Sequence, residues 1–161
     1  GNITIKAYKE DNLSDASNSV NTSVVTGTDL TIYDFDIAGQ PSGVGWDEDG
    51  NSTIYNFITA NEDSIDLYLD TDFFLASPHT YVKWNTCQIQ GVHSDVDYAP
   101  ASGYSYAEYP YADSIYVVKL LGHGSDGGDQ YIKITVTDVV TDDNITFDFV
   151  FQPIDDYTRF K

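Results

Sequence analysis

Cysteine and basic residues are scarce in this chain of 161 residues, and methionine is absent. The single cysteine, Cys87, excludes an intrachain disulfide. It lies in a strand-like run whose residues offer no activating base, so we expect a small buried thiol rather than a catalytic one. No apolar run approaches the ~20 residues with which a helix crosses a bilayer, which excludes a transmembrane protein for this stretch.

The scarcity of lysine and arginine leaves a large negative charge. Seven basic side chains face 26 carboxylates, which gives a formal charge of −19 at pH 7. So few cations cannot neutralise several phosphates, so nucleic acid is excluded as a partner, and the same sign disfavours anionic membrane surfaces. Cations, neutral sugars, planar apolar ligands and basic proteins remain as ligand classes. Such acidity suits an extracellular or cell-envelope protein.

Apolar and polar residues alternate with a period of two, most clearly over residues 64–70, 130–137 and 144–152. No window combines helix caps with an apolar stripe of helical period. Residues 38–50, with four glycines and a proline, are predicted to form a long irregular loop. The pattern predicts a single all-β domain over residues 1–161, an antiparallel β-sandwich or partly open barrel, with residues 10–23 as a loop or linker after the first strand.

Two patterns that can indicate enzymes are interpreted otherwise. Residues 122–127 read Gly-His-Gly-Ser-Asp-Gly, but a dinucleotide-binding loop needs a helix directly after its glycines, and here a strand pattern follows from Gln130. We therefore interpret the segment as a β-hairpin loop. The many carboxylates offer pairs for glycoside hydrolysis, yet no spacing singles out one pair. We expect no catalytic residues and no enzymatic activity.

The C-terminal third contains a characteristic series of segments. In order these are an Ala-Pro and Gly-Tyr loop at 99–104, a strand ending in Val-Lys at 115–119, a strand with a Tyr/Lys pair at 130–136, and an Ile-Thr-Phe strand leaving through a glutamine at 145–152. Over residues 98–152 the chain resembles the HmuY-like family of bacterial envelope lipoproteins. The resemblance implies an all-β fold, export, and peripheral membrane attachment through a lipidated cysteine upstream of Gly1. It also implies haem as a ligand, because the founding branch holds haem between two axial histidines.

Two of the three histidines are candidate haem ligands. Haem held by two imidazoles needs them on opposite faces of a planar slot. His79 and His93 flank the strand that contains Trp84, and the tyrosine-rich loop that follows could supply the walls of the slot. The alternative is that both are ordinary loop histidines without a ligand.

Aromatic side chains are abundant, with thirteen tyrosines, eight phenylalanines and two tryptophans. Exposed rings beside carboxylates suit a sugar, through stacking and hydroxyl pairing, or another flat ligand. A tyrosine-rich surface packed on a neighbouring strand is the alternative. The candidate stacking residues are Trp46, Trp84, Tyr98, Tyr104, Tyr106 and Tyr109.

Asp47, Asp49 and Asn51 are candidate calcium ligands. They offer side-chain oxygens at alternate positions, as a calcium loop does, although the glycine and glutamate spacing of an EF-hand is missing. A solvated acidic turn is the alternative.

Together these patterns predict a non-catalytic binding protein of the cell envelope or extracellular space. Haem capture is the first hypothesis. A carbohydrate-binding or adhesive surface module with calcium-stabilised loops is the alternative, and a structural envelope protein is a third. The ligand and the oligomeric state are open at this point.

Overall fold

A computed structural model describes residues 23–58, 60–78, 86–92 and 94–160, together with the backbone pairing of eight residues nearer the N-terminus. In that N-terminal part β1 (Asn2–Ile3) pairs with β4 (Val20–Asn21), and β2 (Tyr8–Lys9) pairs with β3 (Asn12–Leu13). The loop predicted over residues 10–23 contains β3 and β4. The other positions of that range up to residue 22 lie outside the described residues.

Two antiparallel five-stranded sheets pack together as a β-sandwich that is not closed into a barrel, which confirms the predicted fold class. The large sheet has the order β10-β12-β13-β14-β5, formed by Cys87–Val92 (β10), Ile115–Leu120 (β12), Gln130–Val140 (β13), Asn144–Gln152 (β14) and Val25–Tyr33 (β5). The small sheet has the order β11-β9-β8-β6-β7, formed by Ala107–Glu108 (β11), Leu75–Ala76 (β9), Leu67–Leu69 (β8), Gly43–Trp46 (β6) and Ser52–Tyr55 (β7). Among the described residues the only helix is a 3-10 turn, Glu62–Ser64, and no helix there could cross a membrane.

The core lies between the two sheets and follows from the alternation in the sequence. Successive side chains of a strand point to opposite faces, so every second residue is buried along β14 from Ile145 and along β13 as far as Val136. The inward residues of the two strands stand opposite each other in register, as Ile132–Phe151, Ile134–Phe149 and Val136–Phe147. The small sheet covers them with buried side chains that include Val44, Leu67 and Leu69.

The outer face of the large sheet carries a second, smaller core. Residues 94–104 and the C-terminal residues 157–160 lie across this face, and they pair with each other: Ala99 N–H donates to Thr158 O at 2.7 Å and Phe160 N–H donates to Asp97 O at 2.9 Å. Ala99 and Phe160 are buried against Val117 and Tyr131 of the sheet. This packing fixes where the tyrosine-rich segment begins.

The loop predicted over residues 38–50 is wrong for four of its residues. Gly43–Trp46 forms β6, which pairs with both β7 and β8 and is buried along its whole length. The strand was not predicted because it contains two glycines, Gly43 and Gly45, which are typical of loops. In the fold, other residues pack closely against both glycines. A Cβ at Gly43 would lie 2.7 Å from Ile65 Cγ2, and one at Gly45 would lie 1.8 Å from Ser64 O.

The glycine-rich segment is a β-hairpin loop, as predicted. β12 and β13 are antiparallel neighbours, and residues 121–129 connect them. The cysteine prediction is also confirmed, because Cys87 is fully buried in the main core.

Candidate functional site

The tyrosine-rich segment, residues 98–111, runs along one edge of the sandwich. Ser105 exchanges two backbone hydrogen bonds with Ile89 of β10, at 2.7 and 2.8 Å. Two residues later the same segment forms β11 and pairs with β9 of the small sheet. The segment therefore bridges the two sheets, and it leaves a groove between itself and the nearby ends of β10 and β12.

This tyrosine groove has a volume of about 230 Å³ and is lined by Gln90, Gly91, Glu108, Tyr109, Tyr111 and Tyr116, among others. The ring centroids of Tyr109 and Tyr111 are 5.1 Å apart, and Tyr109 packs edge-on against Phe74 at 5.6 Å. Tyr109 is half-buried, whereas Tyr111 is 63% exposed. Tyr111 therefore presents an aromatic surface to solvent at the groove.

A buried hydroxyl fixes the backbone beneath the two tyrosines. The Tyr116 hydroxyl donates to Tyr109 O at 2.8 Å and accepts from Tyr111 N–H at 2.9 Å. Burial raises the pKa of Tyr116, so this hydroxyl stays neutral at physiological pH. The aromatic wall of the groove is thus held in place by the core strand β12.

Two polar side chains complete the groove. Glu108 Oε1 accepts from the Ser105 hydroxyl at 2.8 Å, and Glu108 Oε2 lies toward Gly91, 3.9 Å from where a Cβ would stand. The carboxamide oxygen of Gln90 is buried and has no hydrogen-bond partner among the residues that the structure describes. Such atoms are rare in native proteins and usually have an unseen water or ligand as partner.

The structure places the stacking candidates in different surroundings. Tyr109 lies in the groove, and Tyr104 lines a neighbouring cavity. Tyr106 and Tyr98 are 46% and 57% exposed, and the Arg159 guanidinium lies 5.9 Å from the Tyr98 ring centroid. Trp46 is 5% exposed in the main core and packs edge-on against Phe149, which leaves no ring face for a surface ligand. Trp84 lies outside the described residues.

The structure adds groove residues that sequence reasoning missed, chiefly Gln90, Gly91 and Glu108. In the sequence they read as ordinary polar or small residues of a strand and its flanking loop. Only the tyrosine density of residues 98–111 signalled this part of the surface.

The haem candidates His79 and His93 lie outside the residues that the structure describes. The haem ligand set therefore stays a prediction from the resemblance.

The calcium candidates form the turn between β6 and β7. Asp47 Oδ1 accepts from the N–H groups of Asp49 at 3.1 Å and Asn51 at 2.8 Å, and its Oδ2 accepts from Asn51 Nδ2 at 2.8 Å. The hydrogen bond from the Asn51 side chain lowers the pKa of Asp47. Within residues 23–58, 60–78, 86–92 and 94–160, no group of three or more His, Cys, Asp and Glu side chains is placed to hold a metal ion. Calcium binding by Asp47, Asp49 and Asn51 stays a prediction.

A thermal melt tests the calcium prediction. Calcium bound at this turn should raise the melting temperature at millimolar concentration, because a ligand that binds only the folded state stabilises it by mass action. Magnesium at the same ionic strength is the control, and Asp47→Asn should abolish the increase. The absence of a calcium-specific shift would remove calcium from the account.

A larger cavity, about 690 Å³, lies at the opposite end of the strands. Glu48, Asp49, Asp126 and Asp155 line this acidic cleft, with Gln130 at its base. The Gln130 carboxamide is fully engaged with protein groups, namely His123, Glu48, Pro153 and Asp155. The tyrosine groove is therefore the better binding site, because it combines an exposed aromatic ring with a buried polar atom that the described protein groups leave unpaired.

The chain was compared with protein families, with curated proteins and with solved structures. No family model, no curated protein and no solved structure matches the chain. The resemblance to the HmuY-like family over residues 98–152 stays a prediction, so the functional argument is built on the site itself.

Proposed function

We propose that this chain is a non-catalytic binding protein of the cell envelope or extracellular space, and that the tyrosine groove holds a carbohydrate. The buried carboxamide oxygen of Gln90, without a partner among the described residues and lining a groove with an exposed tyrosine, carries the proposal. Rotation of the Gln90 carboxamide would turn this oxygen, which is shielded from solvent in the structure, toward a sugar hydroxyl, and the hydrogen bond would remove the cost of leaving a buried acceptor unpaired.

The remaining groove residues supply the other contacts that a sugar needs. Tyr111 offers an exposed ring on which the apolar face of a sugar can stack. Glu108 Oε2 can accept from a second hydroxyl, because the hydrogen bond from Ser105 goes to Oε1. With a formal charge of −19, the protein should prefer neutral sugars to acidic ones.

Binding without hydrolysis fits the carboxylates present. Of the described residues that line the groove, Glu108 is the one carboxylate. Glycoside hydrolysis commonly uses two carboxyl groups that flank the scissile bond. The groove is therefore proposed as a site of recognition.

A valine at position 91 tests the proposal. A Cβ at Gly91 would lie 3.6 Å from the nearest atom of the Tyr116 ring, which is ordinary contact, so the fold tolerates a Cβ there. The two further methyl groups of Gly91→Val would occupy space beside Tyr116 and Glu108, where the sugar is proposed to lie. We expect binding to weaken at least tenfold, roughly 1.4 kcal/mol, with no loss of melting temperature.

A glycan array with the wild-type chain finds the sugar, and titration calorimetry then compares the variants. Gly91→Ala should retain most of the affinity. Thr53→Val adds the same side chain at an exposed position of β7, on the opposite edge of the small sheet from β11, and should leave affinity unchanged. Equal affinity of wild type and Gly91→Val, or no glycan bound on the array, would contradict the proposal.

Haem capture is the second candidate function, and the resemblance over residues 98–152 favours it. It predicts a bis-histidine Soret spectrum on haem titration of the wild-type chain. The double variant His79→Ala/His93→Ala should lose this spectrum while its melting temperature is maintained. If the spectrum of free haem is unchanged when the wild-type chain is added, haem is not a ligand of this protein.

A further inference from the structure

The tyrosine groove has a neighbour of similar size. A cavity of about 280 Å³, here called the outer-face pocket, lies on the outer face of the large sheet. Its floor is formed by Gln88, Lys119 and Tyr131, which are successive cross-strand partners on β10, β12 and β13. Residues 100–104 form its wall, and Gly103 lines both this pocket and the groove.

Gly103 lies where the two cavities meet. Gly103 has a φ of 98°, and a Cβ there would lie 2.9 Å from Gln90 Nε2. The left-handed conformation favours glycine at this position. The Gln90 carboxamide therefore lies over Gly103 where the two cavities meet, and a ligand that occupies both cavities would pass beside it. Gln88 lines the outer-face pocket and Gln90 lines the groove. Both side chains lie on the same face of β10, and their Cα atoms are roughly 7 Å apart.

Each cavity is lined by one residue whose side chain has a buried polar atom without a hydrogen-bond partner among the described residues. In the groove it is Gln90 Oε1, and in the outer-face pocket it is the Tyr104 hydroxyl. Burial raises the pKa of Tyr104, so its hydroxyl keeps its proton and can act as a donor. Unpaired buried atoms call for a missing partner, and two of the four such atoms in the described residues belong to side chains that line these neighbouring cavities.

The outer-face pocket favours a neutral ligand. Its cation, Lys119, is held by Asp129 with Nζ and Oδ2 2.6 Å apart. This hydrogen bond raises the pKa of Lys119, and it leaves the positive charge compensated. A hydroxyl-bearing ligand therefore fits the pocket better than a phosphate or a carboxylate does.

We infer that the ligand is a neutral oligosaccharide of at least two units, with one unit in the tyrosine groove and the next across Gly103 at the Tyr104 hydroxyl. This inference rests on the proposed function. A single sugar reaches one of the two unpaired atoms, whereas a disaccharide or trisaccharide reaches both. Affinity should therefore rise at least tenfold from monosaccharide to the longer chain.

The test uses an array of neutral glycans in which each linkage is present as mono-, di- and trisaccharide. Tyr104→Phe removes only the hydroxyl, and it should weaken binding of the longer chains about three- to tenfold while leaving monosaccharide binding unchanged. Tyr157→Phe makes the same deletion at an exposed ring that lines neither cavity, and it should change nothing. Gly91→Val should weaken the binding of mono-, di- and trisaccharides to the same extent.

The melting temperature of Tyr104→Phe should equal or exceed that of the wild type, because an unpaired buried hydroxyl is removed.

The outcomes separate this inference from the function on which it rests. Equal affinity for mono- and trisaccharides, with Tyr104→Phe unchanged and Gly91→Val weakened, would overturn the two-unit ligand and leave the groove as a sugar site. Binding that Gly91→Val does not affect, or no glycan bound at any length, would overturn both.

Discussion

Alanine at position 45 is expected to destabilise the fold by about 3 kcal/mol or more. A Cβ at Gly45 would lie 1.8 Å from the backbone oxygen of Ser64 and 3.3 Å from Tyr55 Cε2. Gly45 lies on β6, which β7 and β8 hold from both sides, so the strand cannot move away. The 3-10 turn Glu62–Ser64 would have to lift off the sheet, and backbone relaxes less easily than the end of a side chain.

Urea denaturation measures this effect, and Gly91→Ala is the matched control. Gly91 is also a strand glycine, but the nearest atom to its Cβ position is 3.6 Å away. The control should change the free energy of unfolding by no more than about 0.5 kcal/mol. If Gly45→Ala unfolds at the same urea concentration as the wild type, the close packing of the 3-10 turn on β6 is incorrect.

Leucine at position 130 is expected to cost about 3 kcal/mol. Gln130 is 1% exposed, and its Oε1 lies 2.6 Å from His123 Nδ1. Its Nε2 donates to Glu48 O at 3.2 Å and to Pro153 O at 2.9 Å. One carboxamide thus connects the β6–β7 turn, the glycine loop and the segment after β14. Leucine has a similar volume but leaves these partly buried groups without their partner.

Gln40→Leu makes the same substitution at an exposed position and should stay within about 0.5 kcal/mol of the wild type. Both variants are compared by urea denaturation at pH 7. A Gln130→Leu variant as stable as Gln40→Leu would show that this hydrogen-bond network contributes little to the fold.

The alternation of residues predicted the large sheet well. Strands expected over 130–137 and 144–152 are found as Gln130–Val140 and Asn144–Gln152. This works because the inward side chains of a half-buried strand must be apolar at every second position. The same reasoning did not find β6, because two of its four residues are glycines. These glycines make room for Ser64 and Ile65, which come close to β6 only in the folded chain.

The candidate site was predicted in part. The tyrosines of residues 98–111 stand out by their density, and Tyr109 and Tyr104 line the two cavities. Gln90 and Glu108 could not be found, because they gain their roles where the tyrosine-rich segment runs along the edge of β10. The sequence offers Trp46 as a stacking candidate because residues 38–50 have the composition of a loop, and its inward position on β6 is seen only in the folded chain.

An NMR titration tests most directly whether a carbohydrate binds in the tyrosine groove. Amide signals of the uniformly labelled chain are followed while the neutral trisaccharide that binds most strongly on the array is added. Binding in the groove predicts shifts at Gly91, Gly103 and Ser114, with Gly39 and Gly127 unchanged. Shifts at Gly127, beside the acidic cleft, with none at Gly91 and Gly103 would contradict the account.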